Sequence, residues 1–204
     1  RSNFLVLDLA HSETKPELAR EPPVDTSPVP PAGDQRVGVA AGASLLASLD
    51  GVGPAILPLL RIDWMFHARL AATGTVAGFG TRPTVQAESG SVKVAQGHAV
   101  LALRYVAPAN SKLKGFGSLG AGASRTLLDG WAESPNQGHR VDQWALLLEA
   151  GLGAQLELSE RFYLGLALQA QFAEPYVAIH FVDTEVATTG RPNLLASLTL
   201  GAWL

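Results

Sequence analysis

From Arg36 to Leu204 the chain alternates apolar with small or polar side chains at a period of two, the pattern of β-strands rather than helices. The alternation divides into eight segments. In 36–49, Val37, Val39, Ala41, Ala43, Leu45 and Ala47 share one face, and Gly38, Ala40, Gly42, Ser44 and Ser48 the other. In 55–66, Leu60, Ile62, Trp64 and Phe66 oppose Arg61, Asp63 and Met65. In 68–80, Leu70, Ala72 and Val76 oppose Arg69, Thr73 and Thr75; in 92–106, Ala99, Leu101, Leu103 and Tyr105 oppose His98, Ala102 and Arg104.

The segment 113–128 is glycine-rich, and its facing is open. The clearest alternation runs through 143–158, where Trp144, Leu146, Leu148, Ala150, Leu152, Ala154, Leu156 and Leu158 oppose Ala145, Leu147, Glu149, Gly151, Gly153, Gln155 and Glu157. Its Leu, Ala, Gln and Glu content favours a helix, but two mid-segment glycines and the unbroken period decide for a strand. In 162–173, Phe162, Leu164, Leu166, Leu168, Ala170 and Phe172 oppose Tyr163, Gly165, Ala167, Gln169 and Gln171. The last segment sets Leu194, Ala196, Leu198, Leu200, Ala202 and Leu204 against Ser197, Thr199 and Gly201.

Eight alternating strands fit two opposite architectures: a soluble barrel with its apolar face inside, or a membrane barrel with that face outside. The non-apolar face discriminates between them. It is Gly, Ala, Ser, Thr and Gln with single charges, too small and too uncharged for a wetted exterior. Small side chains are what the packed interior of a narrow eight-stranded barrel needs. Turn lengths mostly alternate as well: the connections near His67, at 107–112 and at 159–161 are short, whereas of those between them 81–91, 129–140 and 174–192 are longer and 50–54 is short. Short periplasmic turns opposite longer outer loops are the asymmetry of outer-membrane barrels.

Composition agrees. Charged residues are 16% and hydrophobic residues 47%, with a mean hydropathy of +0.17, against roughly 25% charged in an ordinary soluble domain. No apolar run approaches the roughly 18 residues of a membrane helix, so membrane residence must be by strands. The absence of cysteine removes disulfides, thiolate metal sites and a cysteine nucleophile. A net charge of −3 argues against nucleic acid as a partner.

Residues 1–35 read differently. Six of the prolines fall between Pro16 and Pro31, among Glu, Asp, Ser and Thr, which predicts an extended linker. The expected organisation is an N-terminal arm and Pro-rich periplasmic linker over 1–35, followed by a barrel domain over 36–204. Through its apolar start, Asn3 to Ala10, the arm offers contact to a periplasmic protein or cell-wall partner.

On these residues, chiefly the alternation from Arg36 to Leu204 and the last strand, the chain resembles the small eight-stranded outer-membrane barrels of the OmpA transmembrane-domain and OmpX type. The resemblance implies an all-β, antiparallel, up-and-down transmembrane β-barrel in a bacterial outer membrane, with loops extracellular and termini periplasmic. The role expected is structural, anchoring or surface-interacting; no recognisable catalytic motif is present, so no enzymatic activity or cofactor is expected, and a monomer is the expected state although the sequence does not fix it. Members of this class end in an aromatic residue; here the aromatic is Trp203 and Leu204 follows it.

Two sets of residues stand out on that topology. Arg61, Asp63, Arg69, Arg104, Glu149 and Glu157 fall on the interior face, where charges must pair or cost several kcal/mol each; they are expected to form a network that plugs the lumen. Trp64, Phe66, Tyr105, Phe162 and Trp203 are expected at the periplasmic interface. Trp144 and Phe172, with Phe79, Trp131 and Tyr176, are expected at the outer one, where amphipathic rings settle. The five histidines lack metal-ligand spacing, so no metal is expected. The alternatives are a lipocalin-like carrier of an apolar ligand, a small pore through the charged lumen, and a lipid hydrolase assembled from His180, Asp183 and Ser89 or Ser134.

Overall fold

The computed structural model describes residues 35–49, 52–78, 80–87, 90–108, 112–132, 139–181, 184–189 and 191–204. The arm 1–34 therefore lies outside the described residues. Every regular element among those described is a strand. Eight of them build the barrel wall: β1 (Arg36–Ser48), β2 (Ala55–His67), β3 (Leu70–Ala77), β5 (Gly90–Val106), β6 (Leu113–Ala132), β7 (Arg140–Glu157), β8 (Phe162–Glu174) and β11 (Asn193–Trp203). Three shorter strands belong to the connections: β4 (Thr84–Ala87), β9 (Val177–Phe181) and β10 (Thr184–Thr189).

Each wall strand runs antiparallel to its neighbours in chain order, and β1 pairs with β11 from Gly38 opposite Trp203 to Ser48 opposite Asn193. That last ladder closes the ring and leaves neither terminal strand as an open edge, the hazard of any unclosed sheet. Arg36 and Trp203 lie at one end of the barrel, with the short β2–β3, β5–β6 and β7–β8 connections; we call it the terminal end. The β1–β2, β3–β5, β6–β7 and β8–β11 connections, which include the longest ones, lie at the other, the loop end.

Parity along the strands separates outside from inside. Leu60, Leu101, Leu119 and Leu152 are among the leucines most exposed on the outer wall, from 63% to 76%. Opposite them Arg61, Asp63, Thr73, Thr75, Arg104, Glu149 and Gln171 are buried. The glycine-rich β6 acquires its facing from this frame: Leu119 and Trp131 point out, and Phe116, Thr126 and Leu128 point in. A continuous apolar exterior of this kind is the surface that hydrocarbon covers, and the reverse of a soluble carrier.

Three features differ from the sequence expectation. Strands β5, β6 and β7 run 17, 20 and 18 residues, so the wall extends further toward the loop end on that side. The connection 174–192 is not irregular throughout; it holds the β9–β10 hairpin. The interior is also less polar than its small residues suggest. Leu57, Leu59 and Leu195 pack with Leu46, Ala55 and Ala77, and Leu147 packs with Val100, Ala145 and Ala173. Val52, Val85, Val94, Leu128 and Val177 form a third apolar cluster in which β4 and β9 meet the wall.

Candidate functional site

The lumen is the candidate site, because it gathers the charges that the sequence places on the inner parity. Asp63 on β2 is fully buried and is the hub. It accepts hydrogen bonds from Thr73 Oγ1 (2.8 Å), Arg104 Nη1 (3.2 Å) and Tyr163 OH (3.0 Å). Arg104, with its side chain 4% exposed, also donates Nη2 to Gln155 Oε1 at 2.6 Å, and its guanidinium lies 4.3 Å from the centre of the Phe116 ring. One buried ion pair is thus wrapped by three neutral donors or acceptors and an aromatic face. That is the arrangement in which low dielectric strengthens the bonds rather than merely penalising the charges.

A second cluster sits on β7 and β8. Glu149 accepts from Gln169 Nε2 at 2.7 Å and from Gln171 Nε2 at 2.8 Å. Arg61, 4% exposed, shares with Glu149, Gln169, Thr75 and Arg104 the lining of a gap of ≈ 10 Å³. The Nε of Arg61 and the Oε1 of Gln169 lack hydrogen-bond partners. A space of that size is what one bridging water requires. Nearer the loop end, a second gap of ≈ 20 Å³ lies among His98, Thr126, Leu147, Gln171 and Asn193. At the terminal end a vestibule of ≈ 330 Å³ opens among Arg36, His67, Arg69, Lys114, Glu157 and Trp203, with Arg104 as its inner wall.

Two of the six charges expected in the lumen stand elsewhere. Arg69 is exposed in the β2–β3 turn and borders the vestibule, because β3 begins only at Leu70 and the period of two does not reach back to it. Glu157, at the last position of β7, is half-buried at the mouth and pairs with Lys114 at 2.5 Å. Thr73, Tyr163, Gln155, Gln169 and Gln171 belong to the networks although only the charges drew attention in the sequence. Their inner parity was readable; their partners, on strands far apart in the chain, were not.

The aromatics divide similarly. Trp64, Phe66, Tyr105, Trp144, Phe162 and Phe172 are all exposed on the outer wall, with Trp64 and Phe66 in edge contact at 5.8 Å. Trp203 does not join them. Its ring turns inward onto Tyr163, with centroids 5.0 Å apart, and lies so close to Gly38 that a β-carbon there would sit 2.9 Å from it. The strand parity that sends Leu200 out sends Trp203 in. Phe79, Ser89, Ser134 and Asp183 lie outside the described residues, as does the side chain of His180. Among the described residues no group of three or more His, Cys, Asp or Glu is placed to hold a metal.

This is the fold of the small eight-stranded outer-membrane β-barrels. The chain is similar to outer membrane protein OprG from Pseudomonas aeruginosa, at 15% identity and a TM-score of 0.57, over 83% of this chain and 95% of that one. It is similar also to Neisserial surface protein A, at 13% and 0.52, over 82% and 96%. The N-terminal β-barrel domain of Pseudomonas aeruginosa OprF matches at 12% and 0.50, over 83% and 99%. Neither a protein-family model nor a curated protein sequence matches the chain.

Proposed function

We propose that this chain is a non-enzymatic barrel of a bacterial outer membrane, closed to ions through its lumen, with a structural, anchoring or surface-interaction role. Its loop end faces the exterior and its terminal end the periplasm. On this reading the Pro-rich residues 1–35 serve as a periplasmic linker that offers contact to a periplasmic protein or the cell wall.

The observation that carries the reading is the Asp63–Arg104 pair, closed in by Thr73, Tyr163, Gln155 and Phe116 between a vestibule and a gap of about one water. A hydrated ion needs a continuous wetted path, and the apolar packing of Leu57, Leu59, Leu147 and Leu195 further along supports the reading that none runs through. Asp63, Thr73, Arg104, Gln155 and Tyr163 engage one another, as do Glu149, Gln169 and Gln171, which supports a filled strut rather than a catalytic pocket. The alternation of short turns and longer connections supports the orientation.

Planar-bilayer recording of the refolded full chain tests closure. Baseline current at 1 M salt is the expected result, and a steady unitary conductance would reject the closed reading in favour of a small pore. Protease protection of the intact cell envelope tests orientation: cleavage within 133–138 from outside supports it, and cleavage within 1–35 from outside overturns it.

A further inference from the structure

The seam between β3 and β5 is not continuous. Their ladder runs from Leu70 opposite Tyr105 to Ala77 opposite His98 and stops. Beyond it the chain turns toward β2, where Gly78 N donates to Pro58 O and Thr81 N to Ile56 O, at 3.2 and 2.9 Å. Gly80 passes so near that a β-carbon would stand 1.8 Å from Ile56 O, so the detour is built on a glycine. Contact with β5 resumes only at Pro83 O, which accepts from Val94 N, and at Thr84 opposite Lys93. Among the described residues, Ala95, Gln96 and Gly97 therefore have no ladder partner on that edge.

The interruption leaves a pocket of ≈ 310 Å³ in the outer wall, at the small end of the range for ligand pockets. Val76, Ala95, Gly97, Ala99, Ala123 and Leu127 give it an apolar lining, and Trp144 stands at its side. It opens on the lipid-facing parity, at the level of an interfacial aromatic. Two arginines stand at its rim. Arg125 is held by Asp142 through bonds of 2.9 and 2.6 Å and lies 5.4 Å over Trp144. Arg82 is exposed and has no ion-pair partner among the described residues. On the inner side His98, 6% exposed, borders the pocket with Nε2 unpartnered.

We infer that this pocket holds one acyl chain of an anionic lipid of the surrounding bilayer, with the lipid's headgroup at Arg82. An apolar slot facing hydrocarbon suits a methylene chain. The cation beside it, which no carboxylate among the described residues meets, favours an anionic over a zwitterionic head. The inference rests on the membrane reading above.

The test uses the full chain refolded into phosphatidylcholine vesicles that carry a trace of phosphatidylglycerol with a photoreactive acyl chain, and maps the labelled peptides. Labelling at 76–82 and 95–99 is expected to exceed that on the leucine face of β7 and β8 several-fold. Ala123→Trp, which fills the pocket from a lipid-facing position, abolishes the excess, and Ala99→Leu reduces it. Arg82→Gln lowers labelling by phosphatidylglycerol and leaves labelling by a matching phosphatidylcholine probe unchanged. Uniform labelling around the wall overturns the inference, as does equal labelling by both lipids. A site labelled by a photoreactive free fatty acid but not by the phospholipid overturns it in favour of a diffusible ligand. Gel mobility before and after boiling separates the two levels: a chain that never inserts refutes the membrane reading itself, whereas an inserted chain labelled evenly refutes this inference alone.

Discussion

The phenol of Tyr163 on β8 donates to Asp63 on β2 across 3.0 Å of lumen, although β11 and β1 separate those two strands in the wall. The bond spans the seam where the barrel closes. The end of the chain is thus tied to its beginning both by the β1–β11 ladder and by side chains crossing the interior.

Removing the carboxylate should be far more damaging than removing the phenol oxygen. Asp63→Ala leaves the Arg104 guanidinium buried without its counter-charge, which costs about 3–5 kcal/mol when one partner of a buried pair is lost. Tyr163→Phe deletes one hydrogen bond and keeps the ring under Trp203, a loss of about 1 kcal/mol. Urea titration of the refolded barrel should rank them in that order; equal losses would mean that Asp63 is not the hub.

Gly201 is fixed by the same ring. A β-carbon at 201 would stand 2.3 Å from Tyr163 Cζ, whereas one at Gly115 meets nothing nearer than 4.0 Å. Gly201→Ala should therefore push the phenol off Asp63 and cost about 1–3 kcal/mol, as overpacking does. Gly115→Ala should fold like the parent. Comparable midpoints for the two variants would show that Tyr163 moves freely.

Distance from the lumen's middle should weaken ion pairs. Lys114 and Glu157 meet at the mouth with each side chain 33% exposed, so water and salt screen them. Lys114→Met is expected to shift stability by less than about 1 kcal/mol. A loss as large as that of Asp63→Ala would place the mouth pair inside the closed network.

The strand count, the ring and the inner and outer faces were legible because each depends on a period of two, which a single sequence carries residue by residue. Arg61, Asp63, Arg104 and Glu149 could be placed inside on parity alone. Which of them pair could not, since Asp63 meets Arg104 from a strand 41 positions on and Tyr163 from one 100 positions on, and barrel shear sets those meetings. Strand ends were the other blind spot: Arg69 lies at the limit of alternation, where one residue decides between mouth and lumen, whereas strict alternation does point the Trp203 ring inward, against its expected place at the interface. The break between β3 and β5 was hidden because Gly78 and Gly80 look like any strand-terminal glycines until Pro58 is seen to accept from Gly78 N and Ile56 to stand against Gly80.

The placement of the hydrocarbon band can be tested on one strand. Leu152 on β7 is 65% exposed about midway between Trp144 and Leu158, and Leu158 is 52% exposed just past the terminal end of that strand. Two side chains that are both exposed in the free barrel differ in a bilayer, because the cost of a cation on the lipid face depends on depth. Leu152→Arg should lose about 2–4 kcal/mol, whereas Leu158→Arg, at the interface where its guanidinium reaches headgroups, should lose about 0–1 kcal/mol. Folding free energies measured by urea titration in lipid vesicles, and repeated in detergent micelles, provide the comparison. A bilayer-specific gap between the two variants supports a band centred below Trp144 and above Phe162. If both arginines cost the same in vesicles, the leucine face of β7 is not covered by lipid at that depth, and the transmembrane placement fails with it.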